Sequence, residues 1–139
     1  MQLPVKVHYA TLAMLALAEK HTSKEPLSAR IIANEQGIPS QFLTQILQQL
    51  RASNLVVSTR GANGGFLLDG APNVISLSDI FDSICPSSSA PISDEQSIFS
   101  EAVNGIWEEL RQQERQMLQG IKLSDLLERV QNSTDMFYI

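Results

Sequence analysis

Residues 55–68 read Leu55-Val56-Val57-Ser58-Thr59-Arg60-Gly61-Ala62-Asn63-Gly64-Gly65-Phe66-Leu67-Leu68. Two β-prone runs, Leu55 to Thr59 and Phe66 to Leu68, enclose a segment with three glycines and one asparagine. Glycine and asparagine accept the positive φ that a tight reversal demands, so a β-hairpin is expected, with Arg60 at its tip. The residues before it have helical periodicity. Val5, Tyr9, Leu12, Ala13, Ala16 and Leu17 recur at three- and four-residue steps, predicting a first helix from Val5 to Glu19 with those residues on its inner face. Ser28 is placed to cap a second helix, Ala29 to Glu35, which Gly37 ends in the left-handed conformation. Pro39 opens a third helix that runs to about Ser53.

The third helix has two unlike faces. Phe42, Leu43, Ile46, Leu47 and Leu50 form an apolar stripe, while Ser40, Gln41, Thr44, Gln45, Gln48 and Arg51 lie opposite. Apart from Arg51 that second face is neutral and rich in hydrogen-bonding groups, unlike the Glu/Lys mixture of a merely solvated helix. Three helices followed by a two-stranded hairpin is the order of a winged helix-turn-helix. The expected fold is therefore mostly α with a small β-hairpin wing. In such a fold the third helix can enter the major groove of duplex DNA. A glutamine amide donates and accepts in one plane, which matches the edge of adenine. A single arginine on a slim loop suits the narrow minor groove of A·T-rich sequence.

Charge is consistent with that reading only when it is divided. The 139 residues carry a net charge of −5, which taken whole disfavours a polyanionic partner. Residues 1–70, however, hold six cations against four anions, and residues 71–139 hold four against eleven. The acidity sits in the second half, and field distribution matters more than total charge. The second half opens with Ser76 and Asp79 at capping-box spacing, predicting a short helix through Ile84. Cys85 to Ser97, rich in serine and proline, is expected to be a linker. A long helix then runs from about Ile98 to Gln119, and a final short one from Lys122 to Val130. Phe99, Val103, Ile106, Leu110 and Met117 keep near-heptad spacing on the long helix. With Trp107 they are the expected homodimer interface, because a short linker leaves this helix no obvious core of its own to cover. The expected division is 1–84 for DNA binding, 85–97 as linker loop and 98–139 for dimerisation.

The chain resembles the Rrf-two family of bacterial regulators, the group that includes IscR, NsrR and CymR. The matching pieces are His8-Tyr9-Ala10, Ile38 through Leu47, Asn54 through Leu68, Ile75 through Ile80, and Leu123 through Leu127. The hairpin match is the most specific. The resemblance implies a winged-helix domain with a long dimerisation helix and a repressor acting on a palindromic operator. Carried over by position, Gln41, Thr44 and Gln45 are the base-reading candidates, with Arg60 in the minor groove. Ser28, Pro39, Ser40 and Gln48, together with Gly61, Asn63 and Gly64 of the loop, complete the expected DNA-facing set. This sequence departs from the family at Thr44, where an acidic residue is common. It departs again after Cys85, where sensing members place three cysteines. A [2Fe–2S] cluster needs four protein ligands, mainly thiolates, and one cysteine with no histidine nearby cannot supply them. No cofactor and no metal are therefore expected.

Other readings are plainer. His8 and His21 are two separate histidines, not a metal site. Cys85 is expected to be an inert thiol, since reactivity needs a lowered pKa. Neither a phosphate-binding glycine loop nor a nucleophile elbow is present, so no enzyme is expected. The lack of an export signal and of a long apolar run implies the cytosol and no membrane partner. A regulatory signal would come from a small molecule near the linker, from a protein partner or from oxidation of Cys85, in that order. An alternative function stays open at this level: a regulator acting mainly through a protein partner, such as a cysteine-biosynthesis enzyme, docked on the acidic second half.

Overall fold

The computed structural model describes residues 2–86 and 96–137. Most of the expected linker, residues 87–95, lies outside the described residues. The elements run α1 (Val5–Glu19), α2 (Ala29–Gln36), α3 (Ser40–Ala52), β1 (Val56–Thr59), β2 (Gly65–Leu68), α4 (Leu77–Ile84), α5 (Ile98–Gly120) and α6 (Leu123–Phe137). The winged helix-turn-helix order is therefore the observed one.

Local chemistry explains each boundary. The Ser28 hydroxyl accepts from the Ile31 N–H at 3.2 Å and caps α2. Gly37 closes α2 at φ +66, and Asn54 follows α3 at φ +61, so both left-handed positions are held by residues that tolerate them. Pro39 stands one place ahead of α3, at its N-cap, with φ −58. Ser76 and Asp79 form the expected capping box at 2.9 and 3.2 Å. Ser97 and Ser100 form a second one at the start of α5.

The core differs from the expected inner face of α1. Val7, Ala10, Ala13, Met14, Ala16, Leu17 and Ala18 are buried, whereas Val5 is 54% exposed and Tyr9 and Leu12 are only partly covered. The reason is position: α1 is packed against α2, α3, α4, α6 and β2, so most of its circumference is covered. Alanines let those neighbours come close. Around α1 lie Ile32, Leu43, Ile46, Leu47, Leu50, Ile80 and Leu123, all under 2% exposed.

β1 and β2 pair antiparallel in the register Val56↔Leu68 to Thr59↔Gly65. A third backbone segment joins them. Leu27 and Phe66 exchange N–H···O bonds of 3.1 and 2.8 Å, which anchors the hairpin to the residue before α2. A Cβ on Gly65 would lie 2.4 Å from the Leu27 carbonyl oxygen, so only glycine permits this approach.

The last helix is longer than expected and better anchored. Residues 131–134 are exposed and polar, so the helix continues past the end of the apolar pattern at Val130. At its start Leu123 is fully buried, and its N–H donates to Ile75 O at 3.0 Å. Leu77 N–H donates to Ile121 O at 2.9 Å. The chain from 98 onward thus returns α6 to the core formed by residues 1–84. By contrast, α5 has no buried residue along its 23 positions.

Leu123→Ala removes a fully buried side chain and should cost about 2–5 kcal/mol. Urea denaturation followed by circular dichroism measures it, and a loss below about 0.5 kcal/mol would mean that α6 does not belong to this core.

Candidate nucleic-acid interface

The turn between α2 and α3 is fixed from within. Ile38 is buried, and its N–H donates to Ala33 O at 3.0 Å. Leu43, Ile46, Leu47 and Leu50 then anchor α3 from below. With that face committed, Ser40, Gln41, Thr44, Gln45, Gln48 and Arg51 are all exposed. Gln41, Thr44, Gln45 and Gln48 fall within about 100° of arc on the helix, one surface wide enough for a groove. The amides of Gln41, Gln45 and Gln48 have no protein hydrogen-bond partner among the described residues. Thr44 differs, because its hydroxyl donates to Ser40 O at 3.0 Å. It therefore presents outward an acceptor and a methyl group. Ser28 sits at the head of α2, with its oxygen engaged in the cap.

The wing tip is built by glycine. Gly61 has φ +108, and Gly64 N–H donates back to Gly61 O at 3.0 Å. A Cβ on Gly64 would lie 2.5 Å from Thr59 O, so this position is structural before it is anything else. The Thr59 hydroxyl oxygen accepts from Gly65 N–H at 3.1 Å and closes the loop. Arg60, Gly61 and Asn63 are exposed at the tip. Arg60 has no ion-pair partner among the described residues.

The apolar stripe of α5 is uncovered. Phe99 is 83% exposed, Met117 71%, and Val103, Ile106, Trp107 and Leu110 lie between 43% and 52%. The helix rests on its own subunit through another face, where Arg115 forks onto Asp82 of α4 at 2.9 and 3.3 Å. Arg111 meets Glu108 at 3.4 Å. Glu114, three residues beyond Arg111, makes no such contact among the described residues. The Asp82–Arg115 pair and the groove of about 490 Å³ beside it escaped sequence reasoning. The two residues lie 33 apart, and no local pattern links them.

Among the described residues no three His, Cys, Asp or Glu side chains converge on a metal position. The whole chain has one cysteine, Cys85, exposed at the end of α4. Its donor set therefore does not fit a thiolate-held cluster. No helix among the described residues is long and apolar enough to cross a membrane.

A buried-inside, polar-outside third helix beside a glycine-built hairpin defines a winged helix-turn-helix protein. Residues 3–129 match the Rrf2 family, described as iron-dependent transcriptional regulators. The chain is 31% identical over 143 residues to the HTH-type transcriptional regulator CymR of Bacillus subtilis, covering all of both chains. Among solved structures, IscR of T. potens superposes with a TM-score of 0.80 at 29% identity, covering 96% of this chain and 90% of that one. CymR of B. subtilis, the global cysteine regulator, also gives 0.80 at 28% identity, covering 93% and 98%. The chain belongs to the Rrf2 family of transcription regulators, and is of the CymR type.

Gly64→Ala should strain the wing by about 1–3 kcal/mol. Hydrogen exchange should show faster exchange at Gly65 and Phe66 with helix amides unchanged. Unaltered exchange there would mean that the loop readily takes another path.

Proposed function

We propose that the protein is a sequence-specific repressor that binds a palindromic operator as a homodimer and carries no iron–sulphur cluster. The observation that carries this reading is the outward face of α3. Three glutamine amides stand exposed and unengaged on a helix whose opposite face is locked in the core. The backbone that carries these glutamines is already fixed, so only side-chain rotamer freedom is lost on meeting base edges. Gln41, Thr44 and Gln45 lie in the N-terminal half of α3, the part that enters the major groove in helix-turn-helix proteins. Gln48 extends the same face, and Ser40 with Pro39 sets its entry. Arg60, flanked by Gly61, Asn63 and Gly64, reaches the adjacent minor groove, and Ser28 approaches the backbone from the head of α2.

A second copy is the natural cover for α5. The helix is about 35 Å long, and its uncovered stripe is of the kind that interfaces bury. Pairing through Val103, Ile106, Trp107 and Leu110, with Phe99 and Met117 at the ends, would relate two α3 helices by a two-fold axis. An operator with half-sites about 34 Å apart, one DNA turn, follows from that symmetry. The cluster-free reading rests on the donor set: one thiol per chain and, among the described residues, no converging group of ligating side chains.

Selection from random duplexes with the pure protein tests the whole reading. A single enriched palindrome is the expected result; no enriched sequence would overturn it and favour a regulator dependent on a protein partner. Gln45→Ala should then cost about 1–3 kcal/mol and relax preference at one base pair per half-site. Arg60→Ala should weaken binding most at A·T-rich flanks and lower the salt slope by about one. Unchanged preference in both variants would place readout elsewhere.

Sedimentation provides the test of the dimer. Wild type should sediment as a dimer at micromolar concentration, and Ile106→Glu as a folded monomer with operator affinity reduced roughly tenfold or more. A wild-type monomer would exclude the proposed symmetry. Protein purified without oxygen should be colourless, and visible absorbance with stoichiometric iron and sulphide would refute the cluster-free reading.

A further inference from the structure

The groove between α4 and α5 has a volume of about 490 Å³, within the range of small-molecule sites. Its floor is apolar, with Phe81 from α4 and Leu118 from α5. Its charged groups divide into two kinds. Asp82 and Arg115 are committed to each other, through a fork that spans the two helices. Arg111 and Glu114 are not. Arg111 makes one long contact, 3.4 Å to Glu108, although a guanidinium has five donors. Glu114 has no hydrogen bond or ion pair among the described residues. The two lie three residues apart on α5, hence on neighbouring positions of the helix surface.

This lining selects its ligand by charge. A simple anion would meet Asp82, Glu108 and Glu114, and a simple cation would meet Arg111 and Arg115. A molecule carrying both charges close together meets the remaining donors of Arg111 and the carboxylate of Glu114 at once. We propose that the groove is an effector site for a zwitterionic α-amino acid. Arg111 takes the carboxylate, Glu114 takes the ammonium, and Phe81 and Leu118 receive the side chain. On α5, Glu108, Arg111, Gln112, Arg115 and Leu118 lie about 80–160° around the helix from the middle of its apolar stripe, whereas Glu114 lies beside the stripe, one heptad from Trp107. Pairing along that stripe leaves the Arg111, Arg115 and Leu118 side of the groove open and sets the partner helix beside its Glu114 edge.

The position has a consequence for DNA, which rests on the proposed operator binding. Asp82 stands at the groove, and the next residue, Ser83, donates its hydroxyl to Gln49 O of α3 at 3.0 Å. A ligand seated between α4 and α5 is thus one residue away from a contact that holds the recognition helix.

Calorimetry on the full-length protein, freed of amino acids and without DNA, tests the site with each of the twenty common L-amino acids. One, or a few of similar shape, should bind once per subunit. The corresponding amine and the corresponding α-hydroxy acid should each bind roughly tenfold or more weakly. Arg111→Ala and Glu114→Gln, each checked for folding by circular dichroism, should lose affinity to a similar degree. No binding by any amino acid, or equal binding in both variants, would overturn the proposal. The effector role is read separately: saturating ligand should shift operator affinity roughly fivefold or more. An operator affinity that does not move would remove that role. A protein that selects no operator would instead fail the repressor reading, while calorimetry still decides the site.

Discussion

The close packing permitted by an alanine-rich central helix governs the rest of this structure. α1 is surrounded by α2, α3, α4, α6 and β2, and it can be so because Ala10, Ala13, Ala16 and Ala18 take little room. Ordinary larger side chains at these places would hold the neighbours off and open voids, which cores tolerate poorly. Fixing α1 fixes the rows that touch it. Leu43, Ile46, Leu47 and Leu50 have one place to go, and the rotation of α3 about its axis is thereby set. The outward direction of Gln41, Gln45 and Gln48 is a consequence of what the opposite face buries.

A second constraint acts on the hairpin. A two-stranded ribbon is marginal alone, and here the backbone exchange between Leu27 and Phe66 ties it to the chain just before α2. Gly65 makes that exchange possible by having no side chain. The wing and the head of α2 are therefore one backbone unit, so Arg60 is held in a defined relation to the helix pair instead of trailing on a free loop.

Much of this was legible in the sequence because it is local. Capping residues, the glycines and asparagine at positive φ, and the two-faced pattern of α3 each declare themselves within a few positions. Ser40, Gln41, Thr44, Gln45 and Gln48 of the expected DNA-facing set are exposed for the same reason, while Gly64 and Ser28 are partly covered. What was not legible is what depends on distant packing. The inner face of α1 was drawn as a stripe, but an almost fully surrounded helix has no stripe to find. The bridge from Leu27 to Phe66 joins residues 39 apart, through backbone groups that every residue possesses. The extent of α6 was missed because its last turns are polar and nothing in them breaks a helix. The groove between α4 and α5 was missed because its two walls come from separate parts of the chain.

The charge of this acidic protein is divided unevenly along the chain. Its anions are concentrated from Asp79 onward, away from α3 and the wing in sequence, so the polar neutral face of α3 need not compete with them. α4 lies between the two regions. Its residue 82 is paired with α5 and its residue 83 with α3, through bonds of 2.9 and 3.0 Å. Two successive residues on a helix point about 100° apart, so each can serve a different neighbour without bending. A displacement of α5 is felt at α4, which cannot shift far without disturbing either the fork to Arg115 or the Ser83 hydroxyl that donates to Gln49 O. The short helix α4 is thus a physical connection between α5 and α3.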